Sequence, residues 1–182
     1  TITAGNQKPL FSLEHLTPLP RTTFLEKATN NVFAFSESLS LAVATGGNNW
    51  SFGISAFGET PGTELDADEG YGISGRATFA PILDKDRFVH VGVSGYRKKV
   101  ADNQAVRVRQ RPEVRVFGTR LVDTGNLAAD KTSAVGVELA GAFGPFSAQG
   151  EYMWNWVDLE AGGSANFNGA YVQAGWFLTG ET

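Results

Sequence analysis

The chain has 182 residues, a formal net charge of −4, 22 glycines, 12% aromatic residues and no cysteine. That length supports a single domain with its own core, and the absent thiols exclude a disulfide framework and Cys-ligated metal sites. The mild acidity argues against a general nucleic-acid binder. No run approaches about 18 apolar residues, so no transmembrane helix is expected.

No basic-apolar-small leader opens the chain at Thr1, so any signal peptide is expected to be gone already. A first strand is expected at 1–6, followed by an excursion over 7–37. From there the period is two. Leu39, Leu41, Val43 and Thr45 alternate with Ser40, Ala42 and Ala44 over 38–46. Trp50, Phe52, Ile54 and Ala56 alternate with Ser51, Gly53 and Ser55 over 49–58. The same pattern runs through Tyr71, Ile73, Ala77 and Phe79 (71–81) and through Val89, Val91 and Val93 (87–98). It resumes with Val135, Val137, Leu139 and Phe143 (132–143), then with Phe146, Ala148, Tyr152, Trp154 and Trp156. A last strand sets Val172, Ala174, Trp176 and Leu178 against Tyr171, Gln173 and Gly175 (171–178). Segments of about ten residues suit tilted strands that cross a bilayer.

A soluble β-sandwich also alternates, and three features favour a transmembrane antiparallel β-barrel. The polar set is mostly Ser, Gly, Gln and Asn, as a wet interior requires. The apolar set places Trp50, Tyr152, Trp154, Trp156 and Trp176 toward strand ends, where interfacial girdles form. Connections alternate between short turns, at 46–49, 83–86 and 144–145, and long ones, at 59–70 and 158–166. Parity then puts 7–37 and 99–131 on the long-loop side. Two connections of about thirty residues far exceed ordinary lengths and are expected to be functional. Gly53, Ser74, Gly92, Gly136 and Ala140 are too small to fill a narrow barrel, so the eight expected strands are expected to form part of a wider one.

The strongest chemical signal is Val106-Arg107-Val108-Arg109-Gln110-Arg111, with Arg115 on the same parity. In extended backbone those four guanidinium groups form one column, and Val106, Val108, Gln110, Val114 and Val116 face away. Arg120 would extend the column, and Glu113 would temper it. Guanidinium matches a compact oxyanion with paired donors, and a row of moderate sites permits release as well as capture. An anion is therefore the expected visitor. Arg76 lies on the polar side of its strand and is a candidate wall residue. His90 and His15 have no sequence partner that suggests catalysis, and no enzyme activity, cofactor or metal is expected. Calcium at Asp66, Asp68 and Glu69 lacks the full loop pattern.

Several stretches together carry a family resemblance. They are Gly5-Asn6-Gln7-Lys8-Pro9-Leu10-Phe11-Ser12-Leu13-Glu14, Phe24-Leu25-Glu26-Lys27, Arg111-Pro112-Glu113, Val122-Asp123-Thr124-Gly125, Gly144-Pro145-Phe146, Gln149 to Met153 and Tyr171 to Glu181. In order and spacing the chain resembles the phosphate-selective porin O and P family along nearly its whole length. The resemblance implies a homotrimer of roughly sixteen-stranded barrels in the outer membrane of a Gram-negative bacterium, of which this chain would be the middle half. It implies that 7–37 is the constriction loop and 99–131 the inward-folded loop bearing an arginine ladder. Lys8 and Arg21 match the constriction cations, Lys27 less closely. The implied function is passive uptake of phosphate or polyphosphate, with phosphate-type anions and outer-membrane lipid as partners.

Blander readings stand beside these. The Arg-Val alternation also suits a solvated sheet edge, and Lys8, Arg21 and Arg76 would also serve to balance wall carboxylates such as Glu138 and Glu151. Arg97-Lys98-Lys99 reads as a surface cluster facing lipid phosphates. Phe24 to Ala28 reads as a short helical turn. Lys131 stands where the ladder would end, and Thr22 and Thr23 where a further cation would help. A general diffusion porin is the main rival function. An outer-membrane lipase would need a Ser–His pair facing lipid, and a purely structural envelope protein would not conduct.

Overall fold

The computed structural model describes residues 1–60, 70–102, 104–111 and 118–179. Glu113, Arg115, Val114 and Val116, and the acidic residues Asp66, Asp68 and Glu69, lie outside them.

Strict two-residue alternation produces one antiparallel sheet. Its long strands are β1 (Ile2–Gln7), β2 (Ser38–Gly46), β3 (Trp50–Phe57), β4 (Tyr71–Leu83) and β5 (Arg87–Lys99). Three short strands follow, β6 (Ala105–Val106), β7 (Arg109–Gln110) and β8 (Val122–Asp123), before β9 (Leu127–Phe143), β10 (Phe146–Leu159) and β11 (Ser164–Trp176). The sheet runs β1-β2-β3-β4-β5-β9-β10-β11, with β6 paired to β9, while β7 and β8 form a separate hairpin. Sequence neighbours pair throughout, except that β9 joins β5 across the second excursion. Among the described residues, no helix is long and apolar enough to cross a membrane.

The two faces are inverted relative to a soluble protein. Ser40, Ser55, Ser74, Ser94, Thr132, Glu138, Glu151 and Asn155 are buried. The apolar alternates stand in the open: Ile73 is 66% exposed and Leu139 57%. An exposed apolar face of this extent, polar mainly at the Asn166 and Asn168 positions and in the charged rows at one end, suits an apolar surrounding such as lipid.

The polar face is covered by the chain itself. Residues 8–37 fold as a four-residue helix α1 (Leu13–Leu16) and two 3₁₀ turns, Leu19–Arg21 and Thr29–Phe33. Phe11 and Phe33 from this segment form a core with Phe57, Tyr96, Val108, Ala134 and Met153. Phe11 meets Tyr96 edge-on at 4.9 Å. The small wall residues thus have a second purpose. A Cβ on Gly53 would come within 2.7 Å of Leu10, and one on Gly169 within 3.0 Å of Asn30. They make room for the covering segment.

Four sequence expectations are corrected. β11 starts at Ser164 rather than 171, so the connection expected over 158–166 is a turn of only four residues, 160–163. The cause is a local inversion of pattern. Asn166 and Asn168 take the outward positions opposite Trp156 and Trp154, while Phe167 turns inward to the core. β9 likewise begins at Leu127 rather than 132, across a register shift at Asp158/Leu159, which shortens the second excursion to 100–126. Phe24 to Ala28 forms bends, not a helical turn, and Phe24 and Leu25 are exposed. The helical turn lies at Thr29–Phe33, where Glu14 accepts from the Ala28 and Asn31 donors. The outward aromatics are also spread more widely than expected, since Tyr152 and Trp154 lie midway along β10.

Candidate functional site

Polar wall side chains pin the covering segment by its backbone. The Leu10 N–H donates to Ser74 Oγ at 2.9 Å and the Ser12 N–H to Ser94 Oγ at 3.3 Å. The Tyr96 hydroxyl donates to the Phe33 carbonyl at 2.9 Å. Glu151 on β10 accepts from three donors: the Leu13 N–H at 2.6 Å, the Glu14 N–H at 3.1 Å and the Ser12 hydroxyl at 3.1 Å. A carboxylate receiving the free amides of a helix start is a strong arrangement. It also holds Ser12 at φ 69°, a conformation that costs a non-glycine residue about 1–3 kcal/mol.

That anchoring sets up a cluster of cations. Lys8 Nζ and Lys27 Nζ both donate to the His15 carbonyl oxygen, each at 2.9 Å. Two ammonium groups therefore share one neighbourhood, beside a cavity of about 720 Å³ lined by Asn6, Lys8, His15, Lys27, Asn31 and Glu37 among others. Burial, then the Lys8 charge, holds the Lys27 ammonium below the usual lysine range. Burial and the same two lysines hold His15 down to about 4. Its imidazole is neutral at pH 7, and the cluster carries two positive charges.

The sign of the His15 effect is definite. The unfolded ring takes up its proton near pH 6.5 and the folded ring only near 4, so stability falls as pH drops through that window. The full effect is about 3 kcal/mol. Protection of residues 8–37 from protease is expected to weaken between pH 6.5 and 4. His15→Asn should remove that share of the pH dependence, and an unchanged profile would contradict it.

The second excursion lies against the first. Val108 is buried in the same core, and β7 packs on the Thr29–Phe33 turn. Arg107 and Arg109 flank Val108 on the exposed side. The backbone is extended only in pieces, with β6 and β7 separated by Arg107 and Val108. Arg107 Nε and Nη2 grip Asp123 Oδ1 and Oδ2, both at 2.7 Å. Arg109 stands opposite Asp123 in the β7–β8 register, and Arg120 Nε is 3.9 Å from Asp123 Oδ2. Two guanidinium groups thus approach one carboxylate, which the Arg107 hydrogen bonds, above all, hold down to about 2. Arg111 is half-buried at the end of the described stretch.

Sequence reasoning named the cations and, for Arg76, the wall carboxylate Glu138 that balances it, but not the partners of Lys8, Lys27 and Arg107. Asp123 stood in the sequence only within the stretch Val122-Asp123-Thr124-Gly125; in the structure its Oδ1 accepts the Gly125 N–H at 3.1 Å and Gly125 takes φ 69°. The His15 carbonyl and the anchoring role of Glu151 left no sequence signal. Arg76 is tied to the wall. Its Nε donates to Glu138 Oε2 at 3.1 Å and its Nη2 to Oε1, which also lies 2.7 Å from His90 Nε2. Glu138 lies in the space left by Gly92. Arg21 is exposed at the end of its 3₁₀ turn, and Lys131 stands on the outward face of β9 rather than at the end of an arginine column. Among the described residues, no group of three or more His, Asp or Glu side chains is placed to hold a metal ion.

A family model for phosphate-selective porin O and P matches residues 1–182. An uncharacterized protein of Caulobacter vibrioides is 31% identical over 194 residues, covering all of this chain and 39% of its own length. Porin O of Pseudomonas aeruginosa is 32% identical over 127 residues, covering 59% of this chain and 29% of its own length. The chain spans well under half the length of these curated relatives.

Proposed function

The chain belongs to the phosphate-selective porin O and P family, and on that premise we propose that it forms part of the wall and pore lining of an outer-membrane channel for phosphate-type anions. The whole channel would be a closed barrel of roughly sixteen strands, assembled as a homotrimer. β1 and β11, the two edges of this sheet, would pair with the remaining strands.

The observation that carries the reading is the convergence of Lys8 and Lys27 on one carbonyl oxygen. Each ammonium has donors to spare, and their mutual repulsion is relieved when an anion sits between them. Arg107 and Arg120 at Asp123, with Arg109 opposite it in the register and Arg111 next in the sequence column, form a second station. A carboxylate in the grip of Arg107 lowers the site's affinity without removing it, as transport requires. Arg76, already satisfied by Glu138, supports the wall, and Arg21 is a mouth cation.

Single-channel recordings of the full-length protein test this. Millimolar phosphate in a chloride bath should block current in the wild type. Arg109→Ala and Arg111→Ala should each weaken that block several-fold, and Asp123→Asn should strengthen it by releasing Arg107. A reversal potential with no anion preference, and block unaffected by these changes, would instead identify a general diffusion porin.

A further inference from the structure

The outward face carries a feature that ion passage does not use. Cross-strand register places Tyr71, Lys99, Lys131 and Asp158 in one row at the long-connection end of the sheet. Ile73, Arg97, Ser133 and Trp156 form the next row. Lys99 and Lys131 are directly opposed, which brings two cations together in this row. Arg97 and Lys131 are exposed, and no ion pair among the described residues engages either. Asp158, opposite Lys131, offsets only part of the charge.

One row further in, Gly75 pairs with Gly95. Two adjacent missing side chains leave a groove of about 550 Å³, walled by Leu41, Val43, Ile54 and Ile73 and reaching Arg97. A free anion would use the cations but not the groove, and a hydrocarbon would use the groove but not the cations. A molecule with both parts uses the whole feature. We propose that this patch is a binding site for a phosphorylated lipid, with phosphate oxygens on Arg97 and Lys131 beside Lys99 and one acyl chain in the Gly75–Gly95 groove. Cations at the rim of an apolar belt meet lipid phosphates at their own depth, and each is worth a several-fold gain in affinity. The proposal rests on reading this sheet as membrane wall.

Native mass spectrometry of the detergent-solubilised full-length protein tests it, with diphosphoryl lipid A and its dephosphorylated form as probes. The diphosphoryl form should be retained at least about tenfold more tightly. Arg97→Gln with Lys131→Gln should erase that preference, and Arg97→Lys should keep most of it. Gly75→Val should weaken retention of both forms. The first added carbon would lie 3.5 Å from its nearest neighbour, so the strand accommodates it. Equal retention of the two probes, or retention indifferent to all three changes, overturns the proposal. It also fails if Gly75→Val alters the oligomeric mass while lipid retention stays constant, since the groove would then be a contact between copies. Phosphate block, recorded on the same samples, separates the two readings. Lipid retention without conduction would sink the channel alone, and conduction with unselective lipid retention would sink this site alone.

Discussion

A full-length channel carrying Lys8→Gln and Lys27→Gln together is expected to lose phosphate block by about tenfold to a hundredfold, a difference of roughly 1.4–2.7 kcal/mol. Both side chains meet at the His15 carbonyl at 2.9 Å, so removing them deletes two charges from one point rather than thinning a diffuse field. Coulomb attraction at such range would suggest more, but the anion gives up water on entry and part of the gain is cancelled. The single changes should not add. The Lys8 charge opposes that of Lys27, so Lys8→Gln alone relieves that repulsion and should give a milder loss. Phosphate block and reversal potential both unmoved in the double variant would remove the lysine pair from the pathway.

Glu151→Gln is expected to act on the pore's dimensions rather than on its preference. Three donors converge on this carboxylate. An amide offers one oxygen and turns two N–H groups toward donors, which costs the docked segment about 2–4 kcal/mol. Part of that deficit is Ser12, whose φ of 69° is maintained by these contacts. Conductance should rise with added open-channel noise, and protease should cut within 8–37 while the strands remain protected. Glu151→Asp should restore part of the quiet behaviour. The anchoring assignment fails if conductance and cleavage match the wild type. Glu138 provides the contrast, because it faces Glu151 across β9 and β10 yet spends its oxygens on Arg76 and His90. Glu138→Gln should leave the covering segment in place.

The wall was legible because alternation is a short-range signal. Leu39 through Thr45 states its outward face without help from distant residues, and so do Val89 through Val93. Legibility failed where tertiary packing reversed the pattern. Phe167 turns inward because Gly169 and the Thr29–Phe33 turn create an apolar recess there, and nothing local announces that recess. The cations were legible by type and spacing, and so was the Arg76–Glu138 pairing, whereas the partners of Arg107, Lys8 and Lys27 were not. Asp123 lies sixteen residues from Arg107, Glu151 lies 138 residues from Leu13, and a backbone carbonyl such as that of His15 leaves no mark in sequence. The small residues Gly53 and Ser74 stood out in the sequence as positions that leave space on the polar face. Their role in seating Leu10 required the covering segment to be in place.

The division of labour between strands and excursions has an evolutionary consequence. The cations of both proposed stations come from 8–37 and 100–126, whereas the strands contribute anchors such as Ser74, Ser94 and Glu151. On the proposed function, a lineage would exchange its cargo by rewriting these two segments while the frame that survives folding and insertion stays unaltered. Grafting those insertions between relatives should carry ion preference with them, provided the three anchors travel unchanged.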